Sequence, residues 1–146
     1  MTAELAGLVA VADPTRSGSA ATAYMMVLQR AMAAAEQRYL EDNPELGAQR
    51  DELEKSPAYQ EALGRGWKEG MRVLVLMAAN ARYFTDSASR PLADVGDAES
   101  AAGVAIDFYA RVYEEQIGER RIAYRAPRGA TAITPDPVGV LYGTRG

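Results

Sequence analysis

Gly7-Leu8-Val9-Ala10-Val11-Ala12-Asp13-Pro14-Thr15-Arg16-Ser17-Gly18-Ser19 is the stretch on which the fold turns. A short apolar run, 7–12, meets a polar turn, and a helical pattern opens near Ala20. Proline cannot donate to a strand ladder and restricts the residue before it, so Asp13-Pro14 closes the strand. Ser17 and Ser19 are good N-cap residues, and Gly18 lets backbone approach a ligand closely. A helix start leaves N–H groups unpaired at the positive end of its dipole. The turn can therefore receive an anion, helped by Arg16 and the Thr15, Ser17 and Ser19 hydroxyls. An ordinary capped turn between strand and helix is the alternative. The turn is not a nucleotide P-loop, because no Gly-Lys-Ser/Thr follows.

Working outward, residues 20–43 read as one long helix. Ala20, Tyr24, Val27, Leu28, Ala31, Ala35 and Tyr39 recur at helical spacing, and Asn43-Pro44 stops it. Residues 44–55 are polar, a short helix or a surface loop. Ser56-Pro57 starts a second helix, an N-cap residue followed by proline at the first helical position. It continues through Tyr59, Leu63, Trp67, Met71, Leu74, Val75 and Ala78. Gly64, Gly66 and Gly70 weaken it and point to close packing. The run Val73-Leu74-Val75-Leu76-Met77 is apolar all round and is expected to be buried. Asn80 falls at the helix end, as a C-cap or as a ligand contact.

Residues 82–85 read as a short strand, and Asp86-Ser87-Ala88-Ser89 as a second polar turn. Residues 91–95 form a short helix that Gly96-Asp97 breaks. Gly103-Val104-Ala105-Ile106 reads as a compact buried strand ending at Asp107-Phe108-Tyr109, with a helix over 110–116 closing at Gly118. Residues 120–126 alternate like a half-exposed strand. After a turn at 127–129, residues 130–133 and 138–142 are further strands on either side of Pro135-Asp136-Pro137. Strands alternating with helices predict an α/β fold, one domain over 1–146, with four to six strands in a mixed sheet and helices on both faces.

The chain has 146 residues, 48% of them hydrophobic, and a net charge of −4. An acidic balance argues against nucleic acid or an anionic membrane as the main partner. With no cysteine and no histidine, there is no disulfide, no thiolate metal site and no imidazole base. No apolar stretch is long enough to span a membrane, and no signal peptide is visible. The chain as written is expected to be cytosolic, or to lack its export signal.

Three stretches together resemble a known family. Ala12 with Asp13-Pro14-Thr15-Arg16-Ser17-Gly18-Ser19, then Asn80-Ala81-Arg82 with the Ser89 turn and Val95-Gly96-Asp97, then Gly103-Val104-Ala105-Ile106-Asp107-Phe108-Tyr109, follow the order seen in solute-binding proteins of ABC transporters. The likeness is to the ferric-iron type within the type II periplasmic binding fold, and Tyr124-Arg125-Ala126-Pro127 through Pro135-Asp136-Pro137 is similar to its return to the hinge. The resemblance implies a single three-layer lobe that holds solute against a partner lobe, in the periplasm or outside the cell, and delivers it to a permease. It implies ligand contacts from Thr15, Arg16, Ser17, Gly18, Ser19, Asn80, Asp107 and Tyr109, and no cofactor. Iron-binding members carry two adjacent tyrosines where this chain has Phe108-Tyr109, which leaves Tyr109 as the best candidate if ferric iron is bound. An oxyanion suits the Ser17-Gly18-Ser19 turn better. With the partner lobe absent, residues 5–11 and 138–142 would be free strands able to pair with each other or with a second copy.

Two other readings stay open. A small hydrolase or transferase could use the same turn as an oxyanion cradle with Asp13 or Asp107 as base, although no nucleophile–base pair is readable. A regulatory or interaction domain without a ligand is the other.

Overall fold

A computed structural model of the protein describes residues 3–117 and 122–126. The expected features at 118–121 and 127–142 lie outside the described residues. Within them the fold is α/β. β1 (Val9–Ala12) is the centre of a three-stranded sheet in the order β2-β1-β3, with β2 at Ala81–Thr85 and β3 at Ala102–Gly103, and both pairings are parallel. All four β1 residues are buried. Successive strand side chains point to opposite faces, so both faces of β1 are covered. That is why its sequence is a continuous apolar run without alternation. Gly7, with φ +71°, takes the left-handed turn that leads into the strand, a conformation open to glycine at no steric cost.

The chain leaves β1 through α1 (Gly18–Asp42), passes a 3-10 turn (Pro44–Ala48) and α2 (Arg50–Lys55), and returns through α3 (Pro57–Ala79). Both long helices start as expected. Ser17 caps α1 by accepting from the Ala20 N–H, and Ser56 caps α3 by accepting from the Tyr59 N–H. α1 and α3 pack side by side where glycine removes the side chain. A Cβ on Gly66 would lie 2.8 Å from Ala31 O, Met32 Cα and Ala35 Cβ. Farther along, the Tyr39 and Tyr59 rings meet edge to face at 5.7 Å, and the Tyr59 hydroxyl donates to Glu36 Oε1 at 2.8 Å. Leu53 of α2 is fully buried.

α4 (Arg90–Gly96) follows β2 and packs on β1 and β3, and α5 (Asp107–Ile117) closes the described fold. Gly96 lets α5 sit close, since a Cβ there would be 2.7 Å from the Tyr113 ring.

Four expectations need correction. The buried stripe of α3 is Tyr59, Ala62, Gly66 and Gly70, while Val73, Val75 and Leu76 are exposed. A helix covered on one side cannot bury every position of an all-apolar run. The strand expected over 103–106 is reduced to Ala102–Gly103, and Asp107, Phe108 and Tyr109 form the first turn of α5 rather than a strand end. Asp107 is favoured there by the positive end of the helix dipole. Among the described residues the sheet has three parallel strands; the strands expected over 130–133 and 138–142 lie outside them, and residues 122–126, expected as a strand, adopt no regular structure. Finally, residues 9–11 are not a free edge, because β1 is flanked by β2 and β3.

Candidate functional site

From β1 the chain moves to β2 on one side, then crosses to β3 on the other. Where an open parallel sheet reverses direction in this way, its loops part and leave a crevice at the carboxyl ends of the strands. The 13–19 turn occupies that place. Asp13 N–H donates to Thr85 O at 2.8 Å, so the turns after β1 and β2 begin side by side.

The turn is held by its own backbone. Asp13 O accepts from the N–H groups of Arg16 (3.1 Å) and Ser17 (3.0 Å). Asp13 Oδ1 accepts from the Thr15 hydroxyl at 2.7 Å and the Thr15 N–H at 2.8 Å. These two bonds, with a smaller effect from the Arg16 charge, hold the Asp13 carboxyl below its ordinary value of 3.8. Ser17 is buried. Its hydroxyl accepts from the Ala20 N–H at 3.2 Å and lies 3.1 Å from the Ser19 hydroxyl. The Tyr24 hydroxyl donates to Ala12 O at 2.8 Å and ties α1 to the end of β1.

Of the N–H groups expected to face a ligand, Ser17 and Ala20 are therefore already bonded. Those of Gly18 and Ser19 have no acceptor among the described residues and remain open. Thr15, Arg16 and Gly18 are exposed around them.

The remaining expected site residues do not converge on this turn. Asn80 lies at the opposite end of the strands, just before β2. It is buried, its side-chain amide donates to Leu76 O at 2.7 Å, and its carbonyl accepts from the Val9 N–H at 3.2 Å. Val9 begins β1 and Asp13 follows its end, roughly 13 Å away at 3.3 Å per residue. Asn80 is a C-cap and is removed from the site. Asp107 and Tyr109 stand on α5, whose start follows the carboxyl end of β3. Tyr109 stacks edge to face on Phe108, centroids 5.6 Å apart, and lines a groove of about 480 Å³ together with Ser87, Ser89 and Arg90.

That groove was not foreseen as a site. The polar turn 86–89 was visible, but reading 106–109 as a strand end hid the helical spacing of Tyr109, Val112, Tyr113 and Gln116, which share one wall. A larger depression, about 550 Å³, lies on α1 beside Arg50. It is remote from both polar turns in sequence, and Arg50 there is paired with Glu36 at 3.2 Å.

Scans against family models, curated proteins and solved structures found no match.

The Thr15 hydroxyl donates to Asp13, but a carboxylate with a lowered pKa is a weak general base. The Ser17 hydroxyl faces Ser19 and the Ser87 hydroxyl faces Ser89, at 3.1 and 2.9 Å, with no base bonded to either pair among the described residues. Among the described residues no group of three acidic side chains stands where it could hold a metal ion.

Proposed function

We propose that the chain is the ligand-binding lobe of an ABC transporter's solute receptor, a type II periplasmic-binding-type lobe with helices on both sheet faces. On this reading it holds a small anionic solute at Ser17-Gly18-Ser19, in the periplasm or outside the cell, and a partner lobe closes over it. It performs no catalysis. The observation that supports the reading is the pair of open N–H groups, Gly18 and Ser19, at the start of a 25-residue helix. They sit at the carboxyl end of the central strand, where the helix dipole adds to their pull on an anion. Arg16 offsets the neighbouring Asp13 charge. Phosphate esters, phosphonates, sulfonates and carboxylates share the required oxygens. Ferric iron would enter as a complex whose solute brings anionic oxygens of its own, since Asp107 and Tyr109 alone are too few.

A single helix start contributes about 0.3–1 kcal/mol toward an exposed charge. Binding by the lobe alone is therefore expected near millimolar, about −4 kcal/mol. The test is titration with inorganic phosphate followed by amide NMR shifts. Gly18→Pro is the informative variant. Gly18 is the first helical residue, its neighbour Ser17 is extended at φ −129°, ψ 113°, and nothing lies within 4 Å of a Cβ there. Proline suits that position and deletes one open N–H. Phosphate should shift Gly18 and Ser19 in the native chain, and the variant should keep its fold while losing about tenfold in affinity, the worth of one hydrogen bond. Shifts confined elsewhere, or equal binding by the variant, would reject the site.

A further inference from the structure

The groove between the 86–89 turn, α4 and α5 carries chemistry of its own. Its volume of about 480 Å³ lies within the usual range for small-molecule sites, roughly 300–1,000 Å³. The inner surface is apolar, from Leu92 and Ala93 on α4 and Val112 on α5, all half-buried. Two tyrosine rings flank it, and Tyr113 is fixed by its packing on Gly96. Such a surface takes an aliphatic or aromatic body.

The polar part has one charge of each sign. Arg90 opens α4, and its Nε donates to Asp94 Oδ1 at 2.7 Å. Asp94 is fully buried and also accepts from the Tyr83 hydroxyl at 2.8 Å. The guanidinium is thus held at the groove by a carboxylate that cannot follow it into solvent. The Tyr83 hydroxyl also lies against the guanidinium, whose remaining N–H groups can meet another acceptor. Asp86, four residues earlier, lines the same groove, is exposed, and has no partner among the described residues. A ligand bearing only an anion would meet Asp86 as a like charge, and one bearing only a cation would meet Arg90. We infer that the groove is a binding site for a zwitterionic α-amino acid with an apolar side chain, its carboxylate on Arg90, its ammonium on Asp86 and its side chain against Leu92 and Val112. The site is distinct from the Gly18–Ser19 donors and does not rest on the transport reading.

The experiment compares three probes of one shape on the full chain by amide NMR: phenylalanine, 3-phenylpropanoate, which lacks the ammonium, and phenethylamine, which lacks the carboxylate. Phenylalanine should shift residues within 86–93 and 109–116 and bind at least tenfold more tightly than either analogue. Asp86→Asn should weaken phenylalanine to the level of 3-phenylpropanoate without weakening 3-phenylpropanoate itself. Arg90→Gln should weaken phenylalanine and spare phenethylamine. Because Arg90 also neutralises buried Asp94, the Asp86 variant decides the matter if Arg90→Gln does not fold. Equal affinity for the three probes, no binding, shifts outside the groove, or an Asp86→Asn chain that binds phenylalanine unchanged would each overturn the proposal. Inorganic phosphate, added separately, reads the Gly18–Ser19 donors, so failure at one place leaves the other standing.

Discussion

Ser17 closes the first turn of α1, and its neighbours divide the remaining work. Replacing it with alanine leaves the Ala20 N–H unpaired and is expected to lower stability by about 1 kcal/mol, measured by urea unfolding. Asp13 gives a pH prediction whose sign is fixed. Its folded-state pKa lies below 3.8 because the Thr15 hydroxyl and N–H bond its ionised form. Its contribution to stability is therefore present above the unfolded value and lost as pH falls through the folded one. Thr15→Val removes the hydroxyl bond. The Asp13 carboxyl, followed by carbon NMR, should then titrate closer to 3.8, and acid unfolding should begin at higher pH. An unchanged titration would show that the Thr15 hydroxyl does not govern that carboxylate. The cap, the turn and the helix start were all legible from Asp13-Pro14 and Ser17-Gly18-Ser19. Which donors stay open was not, because that depends on Asp13 O bonding the Ser17 N–H, a backbone event no side chain announces.

At the scale of elements, α3 carries two glycines with opposite prospects, Gly66 inside the α1–α3 contact and Gly64 outside it. Alanine at an exposed helix glycine gains up to about 1 kcal/mol. Gly64 has nothing within 4 Å of a Cβ, so Gly64→Ala should stabilise by about that amount. Gly66→Ala would place its methyl 2.8 Å from Ala31 O and Met32 Cα. Those are backbone atoms that cannot step aside without parting the helices. An overpacking cost of about 1–3 kcal/mol should outweigh the propensity gain, so Gly66→Ala should lower the melting temperature while Gly64→Ala raises it. Two rises would mean that the helices separate cheaply. Both helices were plain in the sequence, since Ser-Gly and Ser-Pro starts, helical periodicity and Asn-Pro or Asn ends agree. The stretch 103–109 was not, because a short apolar run does not by itself distinguish a buried strand from the approach to a helix. The same limit explains the run 73–77, whose composition demands burial but cannot say whether a neighbour covers it.

At the scale of the molecule, the sheet has an uncovered side among the described residues. β2 is the outer strand among the described residues, and Tyr83 (40% exposed) and Phe84 (47%) stand on it. A parallel sheet normally has both faces covered, and an outer strand with apolar side chains invites another chain to pair. Of the association expected through residues 5–11 and 138–142, the part on 9–11 gives way to this edge, since β1 already has β2 and β3 beside it; 138–142 lie outside the described residues. Arg82 is the native charge on the strand, but its guanidinium is held by Glu99 Oε2 at 2.9 Å and Glu99 O at 3.0 Å. It is thereby less able to repel an approaching strand. The chain is therefore expected to self-associate as its concentration rises, visible by sedimentation velocity. Phe84→Lys places a free cation on the edge and should restore the monomer. Because Phe84 is half exposed, the substitution should change stability by no more than about 0.5 kcal/mol, so that loss of association could not be blamed on unfolding. A chain that stays monomeric at millimolar concentration, or a Phe84→Lys variant that associates as before, would show that β2 is not the contact.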